Sequence, residues 1–138
     1  MMPETLNHYG LKTALEDFCT QVSPAGKSIL GLQFFGDDIR YTKEIELTMY
    51  RIIQELVNNA LKHSGATQIN IQLFSEPKRL FAQVTDNGKG FDPDQVEKER
   101  KGKGIENIRD RVTAMNGKFD IWSEAGQGTE ITVEMEIS

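Results

Sequence analysis

The sequence lacks the features that several classes of protein require. It has a single cysteine, Cys19, which excludes an internal disulfide or a thiolate metal site and is typical of a cytoplasmic protein. It has no run of 18 apolar residues and no basic-then-apolar leader, so we expect no membrane span or secretion signal here, while a longer parent protein anchored in the inner membrane is left open. The net charge is -5 and there is no basic arm, which argues against nucleic-acid binding.

Several well-defined active-site motifs are also missing. The sequence contains neither G-x-x-x-x-G-K-[ST] nor a G-x-G-x-x-G followed by a ribose-binding acid, which excludes P-loop and Rossmann nucleotide sites. It contains no H-E-x-x-H, no G-x-S-x-G and no Cys/His cluster, which excludes the common zinc and serine hydrolase sites. Any nucleotide chemistry must therefore use a different arrangement.

The length and the apolar pattern predict one α+β domain. A chain of 138 residues with 38% hydrophobic positions has the size of one ordinary domain. Helical spacing predicts helices at 11–22, 42–63 and 105–115, and alternation predicts strands at 28–35, 69–73, 80–84, 119–123 and 131–137. Their order indicates a two-layer α/β sandwich, with a mixed sheet and helices on one face. Residues 1–10 are predicted to be a linker from a preceding domain, residues 11–138 the domain itself, and residues 91–104 a mobile loop.

The longest predicted helix carries a narrow polar stripe. Asn59, Lys62 and His63 follow Glu55 by four, seven and eight residues, which puts all of them on one side of an otherwise apolar helix. Glu and Asn one turn apart supply the oxygen ligands that Mg²⁺ prefers. A solvated helix face with a Glu–Lys contact explains the stripe equally well when it is considered alone.

Asp86 ends the second strand of the first hairpin, in the segment DNGKGF. An ionised carboxylate accepts hydrogen bonds and donates none, which suits the amino group of adenine. Gly88 and Gly90 would let the backbone approach a flat ring. An ordinary tight turn is the simpler interpretation of this segment by itself.

Two more glycine segments have the composition of ligand-binding turns. Gly102 and Gly104, in GKGI, precede a helix, so backbone N–H groups and the helix dipole would face an anion there. Gly128 and Thr129, in GQGTEI, open the last strand. The Thr129 hydroxyl there could contact a nucleotide base directly or through water. Each segment alone is also compatible with a plain loop or hairpin turn.

Taken together, the four segments resemble the N box and the three glycine boxes of the ATP-binding catalytic domain of sensor histidine kinases. That domain has the Bergerat ATP-binding fold, which is shared with gyrase, the heat-shock chaperones and the mismatch-repair proteins in the GHKL superfamily. The likeness spans about residues 45–137. The segments MYRIIQELVNNALKHSGA and GKGIENIRDRVTAMNGKF, and the leading PETLNHYGLKTALEDFC, resemble in particular the kinases paired with LuxR-type response regulators.

The resemblance implies roles for individual residues. Asn59 would coordinate Mg²⁺, Asp86 would accept from the adenine amino group, and Thr129 would assist at the base. Glu55 occupies the position of the carboxylate that activates water in the GHKL ATPases, where many other histidine kinases have Asn. The positions implied to contact or shape the ATP site are Asn59, Lys62, His63, Asp86, Gly88, Gly90, Gly102, Gly104, Ile105, Gly128 and Thr129.

The activity implied is that of a two-component sensor histidine kinase. The γ-phosphoryl of ATP would pass to a histidine on a separate dimerisation domain of the same protein and then to a response regulator. We expect this chain to be monomeric and the intact protein to be a homodimer. Two alternatives stay open: an anti-sigma-factor type serine kinase with the same fold, and a binding module that responds to ATP without transferring phosphate.

Overall fold

The computed structural model of the protein describes residues 3–23, 29–90 and 103–137, without the side chains of residues 63 and 103. Most of the loop predicted at 91–104 lies outside the described residues. The helices are α1 (Glu4–Tyr9), α2 (Leu11–Val22), α3 (Lys43–His63) and α4 (Lys103–Ala114). The strands are β1 (Leu30–Gly36), β2 (Ile69–Glu76), β3 (Arg79–Asp86), β4 (Lys118–Glu124) and β5 (Gly128–Glu136).

The five strands form one mixed sheet, in the order β1-β2-β3-β5-β4. β1 runs parallel to β2, and all other neighbours are antiparallel. Residues along β2 and β5 alternate between a buried and a more exposed face, and the helices pack on the buried face. The predicted α+β two-layer sandwich, with a mixed sheet and helices on one face, is confirmed.

The central helix, α3, packs along the buried face of the sheet. Thr42 caps its first turn, because its Oγ1 accepts a hydrogen bond from the Ile45 N–H at 3.3 Å. Buried residues of α3 and of the sheet share one core, which includes Met49, Ile52, Ile53, Leu56, Val57, Ile69, Ile71, Leu80, Ala82, Val84, Val133 and Met135. Among the helices in the described part of the chain, none is long and apolar enough to cross a membrane.

The segment predicted to be a linker contains a helix that packs on the domain. α1 precedes Gly10, whose positive φ of 92° separates it from α2. Leu6 of α1 is fully buried in the same core as α2 and α3. The sequence gives little sign of this packing, because a six-residue helix with one buried side chain has no recognisable period. The boundary between this domain and a preceding one remains a prediction.

A buried carboxylate joins α1 to the start of α3. Glu46 is only 1% exposed, and it accepts hydrogen bonds from Arg40 Nε and Nη2, both at 3.1 Å, and from the Tyr41 N–H at 3.3 Å. Arg40 also donates to the backbone carbonyls of His8 and Asn7, at 3.4 and 3.3 Å. One guanidinium therefore neutralises a buried charge and fixes the end of α1.

We predict that Arg40→Ala lowers the free energy of unfolding by roughly 2 kcal/mol, because it leaves the buried charge of Glu46 with a single backbone donor. Urea unfolding measures the change. An unaltered dependence of the unfolding free energy on urea concentration would show that the variant and the parent expose the same surface on unfolding. Glu46→Gln in the Arg40→Ala background should recover part of the loss, since it removes the uncompensated charge.

Arg79→Ala is the matched control for this prediction. The Arg79 side chain is 46% exposed, close to the 49% of Arg40, but its partners Glu76 and Glu134 are 53% and 17% exposed. Ion pairs at the surface contribute little to stability, so Arg79→Ala should lower the free energy of unfolding much less than Arg40→Ala does. Equal losses in the two arginine variants, or no recovery by Glu46→Gln, would contradict the role assigned to the buried pair.

Candidate functional site

The turn that follows β3 lies directly on the C-terminal end of α3. The Lys89 N–H donates to the carbonyl of Ser64, the C-cap residue that follows α3, at 2.8 Å. A Cβ atom on Gly88 would overlap the side chain and the carbonyl of Ser64, so this close approach requires glycine. The segment DNGKG therefore attaches the end of β3 to the polar end of α3.

Asn87 holds the same turn from the other side. Its Oδ1 accepts from the backbone N–H groups of Thr67 and Gln68, at 2.9 and 3.0 Å, and its Nδ2 donates to Thr67 Oγ1 at 2.9 Å. These bonds fix the loop between α3 and β2, as Asn side chains commonly do in turns. The segment is thus a structural turn held by Asn87. Asp86, the residue before Asn87, is the last residue of β3, so its position is set by the strand.

Asp86 is half-buried at the end of β3. Its Oδ1 accepts a hydrogen bond from the Gly88 N–H at 2.8 Å, and no hydrogen bond from the described residues reaches its Oδ2. Burial raises the pKa of the Asp86 carboxyl above its ordinary value, and the hydrogen bond from Gly88 offsets part of that rise. The second oxygen is therefore a strong acceptor in a partly desolvated position.

The turn between β4 and β5 packs against the turn after β3. A Cβ atom on Gly90 would overlap the carbonyl of Glu124, and one on Gly128 would overlap the carbonyl of Asp86. Both glycines also have positive φ, 64° and 98°, which few other residues adopt. The glycines of the second and fourth predicted segments thus bring two turns into backbone contact.

A row of three polar residues crosses the sheet at this point. Asp86 of β3 is opposite Thr129 of β5, and Thr129 is opposite Ser123 of β4. Thr129 is 8% exposed, and its Oγ1 is 2.8 Å from Ser123 Oγ, which also donates to the Gly128 carbonyl at 3.0 Å. Ser123 was not among the residues predicted from the sequence, although its place after Phe119 and Ile121 in the alternating pattern indicates the inward face.

The polar side of α3 meets the beginning of α4. A Cβ atom on Gly104 would lie 3.6 Å from Asn59 Nδ2, so the half-buried Asn59 amide is adjacent to the first turn of α4. Ile105 is half-buried in the same turn. Among the described residues, none makes a hydrogen bond with the Asn59 side chain. An amide beside a helix N-terminus is suited to contact an oxygen-rich anion.

Glu55 lies one turn before Asn59, in a groove between α3 and α4. The groove is also lined by Arg51, Asn58 and Arg111. Glu55 Oε1 is 3.8 Å from Arg111 Nη2, and both side chains are nearly half exposed. The groove leaves the Glu55 side chain accessible to water.

Three predicted positions receive less support from geometry. Lys62 is exposed on the last turn of α3. His63 ends the same helix, but its side chain lies outside the described part of the structure, as does Gly102. The roles implied for these residues in phosphate binding stay predictions.

The four predicted segments therefore meet at one place. The end of α3 contacts the turn after β3 through Ser64, the Gly126 N–H of the β4–β5 turn donates to the Lys89 carbonyl, and the start of α4 lies beside Asn59. The result is an open site with a carboxylate at one end and a helix N-terminus with an amide at the other. This arrangement is that of a nucleotide-binding domain of the Bergerat type.

Comparison with known proteins agrees with this class. Residues 44–138 match the family described as histidine kinase-, DNA gyrase B-, and HSP90-like ATPase. Because the match spans more than half of the chain, the protein belongs to this family of ATP-binding domains. The family match begins at the start of α3 and includes all the segments that form the site.

Solved structures with the same fold include a histidine kinase. The histidine kinase domain of the Erythrobacter litoralis EL346 blue-light activated histidine kinase aligns over 90% of this chain and 61% of its own, with a TM-score of 0.64 and 19% identity. The longer EL346 protein aligns over 88% of this chain and 40% of its own, with a TM-score of 0.65 and 20% identity. The chain thus spans less than two thirds of either structure, and at these identities the likeness concerns the fold.

We predict that Asp86→Asn raises the thermal midpoint of the ATP-free domain at pH 7 by roughly 1–3 °C. Because the folded-state pKa of Asp86 is raised, the ionised carboxylate destabilises the fold above that pKa, while the amide still accepts from Gly88. The difference in thermal midpoint between the variant and the parent should shrink as the pH falls through the raised pKa. It should vanish below the ordinary pKa, where Asp86 is protonated in both the folded and the unfolded protein.

Thermal unfolding followed by circular dichroism between pH 4 and 7 tests this, with Asp120→Asn on the exposed face of β4 as the control. The control should leave the midpoint unchanged throughout. A lower midpoint for Asp86→Asn at pH 7 would show instead that the ionised carboxylate stabilises the fold.

Proposed function

We propose that this domain binds ATP with Mg²⁺ and is the catalytic domain of a two-component sensor histidine kinase, transferring the γ-phosphoryl to a histidine on a separate dimerisation domain. The observation that carries the proposal is the meeting of the four segments at one site. The site has a carboxylate suited to adenine and an amide beside a helix N-terminus suited to phosphate. The resemblance to kinases paired with LuxR-type response regulators supports a response regulator as the final acceptor.

The base end of the proposed site is formed by Asp86 and Thr129. Asp86 Oδ2, to which none of the described residues donates, would accept a hydrogen bond from the adenine amino group, because an ionised carboxylate only accepts. Gly88 and Gly128 contribute no side chain there, and their close contacts hold the surrounding turns in place. Partial burial strengthens such a hydrogen bond relative to one in water.

The phosphate end is formed by Asn59 and the first turn of α4. The helix N-terminus favours negative charge, and Gly104 and Ile105 belong to its first turn. Lys62 and His63, at the end of α3, are proposed to add charge or a hydrogen bond near the phosphates. Gly102 is proposed to shape the loop that covers them.

The donor set fits Mg²⁺ held mainly by substrate. In the described residues, no group of three or more His, Cys, Asp or Glu side chains could hold a metal ion. Mg²⁺ usually keeps several waters and binds through one or two protein ligands plus phosphate oxygens, so the Asn59 Oδ1 is a sufficient protein ligand. When bound, the ion would neutralise charge on the phosphates.

Transfer would require little covalent chemistry from this domain. A ring nitrogen of the acceptor histidine forms the new bond to the γ-phosphorus as the bond to the β–γ bridging oxygen breaks, and ADP leaves. Positioning and charge stabilisation supply most of the rate in such reactions. Glu55 would orient or deprotonate the incoming nucleophile, and its position in an open groove beside Arg111 supports a role at the edge of the site.

The acceptor histidine is proposed to lie on another domain of the intact protein. His8 is exposed on α1, with Nε2 3.8 Å from Glu4 Oε1, and this short helix is not an acceptor motif. We propose a homodimeric, cytoplasmic kinase module in the intact protein, with this chain monomeric by itself. The serine kinase of the anti-sigma-factor type remains the second candidate enzyme, because it uses the same fold.

Asp86→Asn should weaken binding of a non-hydrolysable ATP analogue by at least about tenfold, because a hydrogen bond to a charged acceptor is lost and an amide donor faces the amino group. Calorimetry with and without Mg²⁺ measures the affinity. The affinity of the parent protein for the analogue should also fall when the pH is lowered through the raised pKa of Asp86, because the carboxylate then becomes protonated. Unchanged affinity in the variant would remove Asp86 from the base site.

Asn59→Ala should reduce phosphorylation of a supplied dimerisation domain by roughly 100-fold or more, because it removes the proposed Mg²⁺ ligand. Asn70→Ala is the control, since Asn70 is exposed on the outer face of β2 and lies outside the proposed site. Labelled phosphate should be acid-labile, as phosphohistidine is. Acid-stable phosphate on serine would support the second candidate, and equal activity of the two variants would contradict the role of Asn59.

A further inference from the structure

The two edges of the sheet differ in charge. β4, at one edge, carries Lys118, Asp120 and Glu124, whereas β1, at the other edge, has no charged residue and no proline among its seven residues. Soluble proteins usually protect an exposed edge strand with such residues, because an unprotected edge can pair with another strand. β1 therefore lacks the usual protection against pairing.

The backbone of β1 is hydrogen-bonded on one side. The Ile29 carbonyl accepts from β2 and the Asp37 N–H donates to β2, so the odd-numbered residues between them turn their backbone groups towards β2. The N–H and C=O groups of Leu32 and Phe34 consequently point away from β2, to the edge of the sheet. Among the described residues, none makes a hydrogen bond with these groups.

The side chains of β1 are also incompletely buried. On the inner face, Leu32 and Phe34 are half-buried, while the residues opposite them on β2 are buried. On the outer face, the Phe35 ring is 43% exposed and stacks on Phe74, with the ring centroids 4.8 Å apart. A further strand beside β1 would remove apolar surface from water on both faces.

A second copy of β1 fits this edge without bringing like charges together. Each chain has a net charge of -5, so two copies repel each other overall, but β1 contributes no charge to that repulsion. Antiparallel pairing about a two-fold axis overlaps the whole strand when Gln33, its middle residue, lies opposite Gln33 of the second copy. Leu32 then lies opposite Phe34 of the second copy, and their edge-facing backbone groups can exchange two hydrogen bonds.

The side chain at the proposed axis is compatible with its own copy. Gln33 Oε1 accepts a hydrogen bond from Gln72 Nε2 at 3.1 Å. An amide side chain both donates and accepts, so the two Gln33 side chains can bond to each other, whereas two identical charges directly opposite would be unfavourable.

We propose that the free edge of β1 is a self-association surface, at which a second copy of this chain adds its own β1 in antiparallel register centred on Gln33. Because the same edge is used by both copies, the pairing closes at a dimer and does not extend into a filament. The contact is one strand, so the chain is monomeric in dilute solution and pairs when copies are concentrated or tethered in one assembly. β2 separates β1 from the strand that carries Asp86, so the pairing is independent of the proposed nucleotide site.

Sedimentation equilibrium of the parent protein without nucleotide, from about ten micromolar to about one millimolar, tests the proposal. The weight-average mass should rise from that of the monomer towards twice that value. Gln33→Lys and Gln33→Glu should each remain monomeric at the highest concentration, because each variant places like charges opposite each other at the axis. An equimolar mixture of the two variants should recover the association, since the opposed charges are then unlike.

Gln83→Lys and Gln83→Glu are the matched controls. Gln83 lies in the same row of the sheet as Gln33, two strands from the edge, so both controls should associate as the parent does. A parent protein that stays monomeric, association of either Gln33 variant alone, or no recovery in the mixture would overturn the inference. Growth beyond the dimer would overturn the closed two-fold arrangement.

A cysteine at the axis tests the register directly. Because the Gln33 backbone groups face β2, Gln33 and its copy would form a non-hydrogen-bonded pair with Cα atoms about 4.5 Å apart, within the range of a disulfide. In a Cys19→Ala background, Gln33→Cys should form a disulfide-linked dimer on mild oxidation, whereas Gln83→Cys should stay monomeric. Equal cross-linking of the two cysteine variants would contradict the register. None of these measurements uses nucleotide, so failure of the proposed ATP site would leave their outcome unchanged.

Discussion

The contact between the turn after β3 and the end of α3 is the constraint on which the site depends. Gly88 lies so close to Ser64 that no side chain fits between them, and the adjacent Lys89 N–H donates to the Ser64 carbonyl. This contact sets the distance from Asp86, at the end of a strand, to Asn59, on the helix. The strand that carries Asp86 and the helix that carries Asn59 are joined by this one backbone approach, and the β4–β5 turn is packed against the same segment.

The site combines groups that oppose the stability of the domain with contacts that support it. Asp86 is an acceptor at the inner end of a strand, where burial penalises its charge, and the Asn59 amide has no hydrogen bond within the described residues. Polar groups in such positions are expected at a binding site, since a ligand supplies the missing partners. Glu46, which is more deeply buried, has its partners within the protein and so belongs to the fold.

Sequence patterns predicted the helices and strands well, but they did not reveal single residues whose roles depend on long-range contacts. The helix predicted at 11–22 is α2 (Leu11–Val22), and the central helix ends at His63 as predicted, because long amphipathic periods are local properties. Leu6, Glu46 and Ser123 were missed. One buried residue in a short helix, one acid in a charged helical turn and one serine in an alternating strand have no local signature, and each acquires its role from residues far away in the chain.

The sequence by itself determined the two-layer α+β architecture and the four segments of the site, because periodicity and glycine placement depend on neighbouring residues. Only the tertiary structure decided that these segments meet, that Thr129 is paired with Ser123, and that Arg40 joins α1 to α3. Those facts arise from close packing between distant segments. Packing of this kind is a property of the folded chain, where steric fit and the pairing of buried polar groups are settled together.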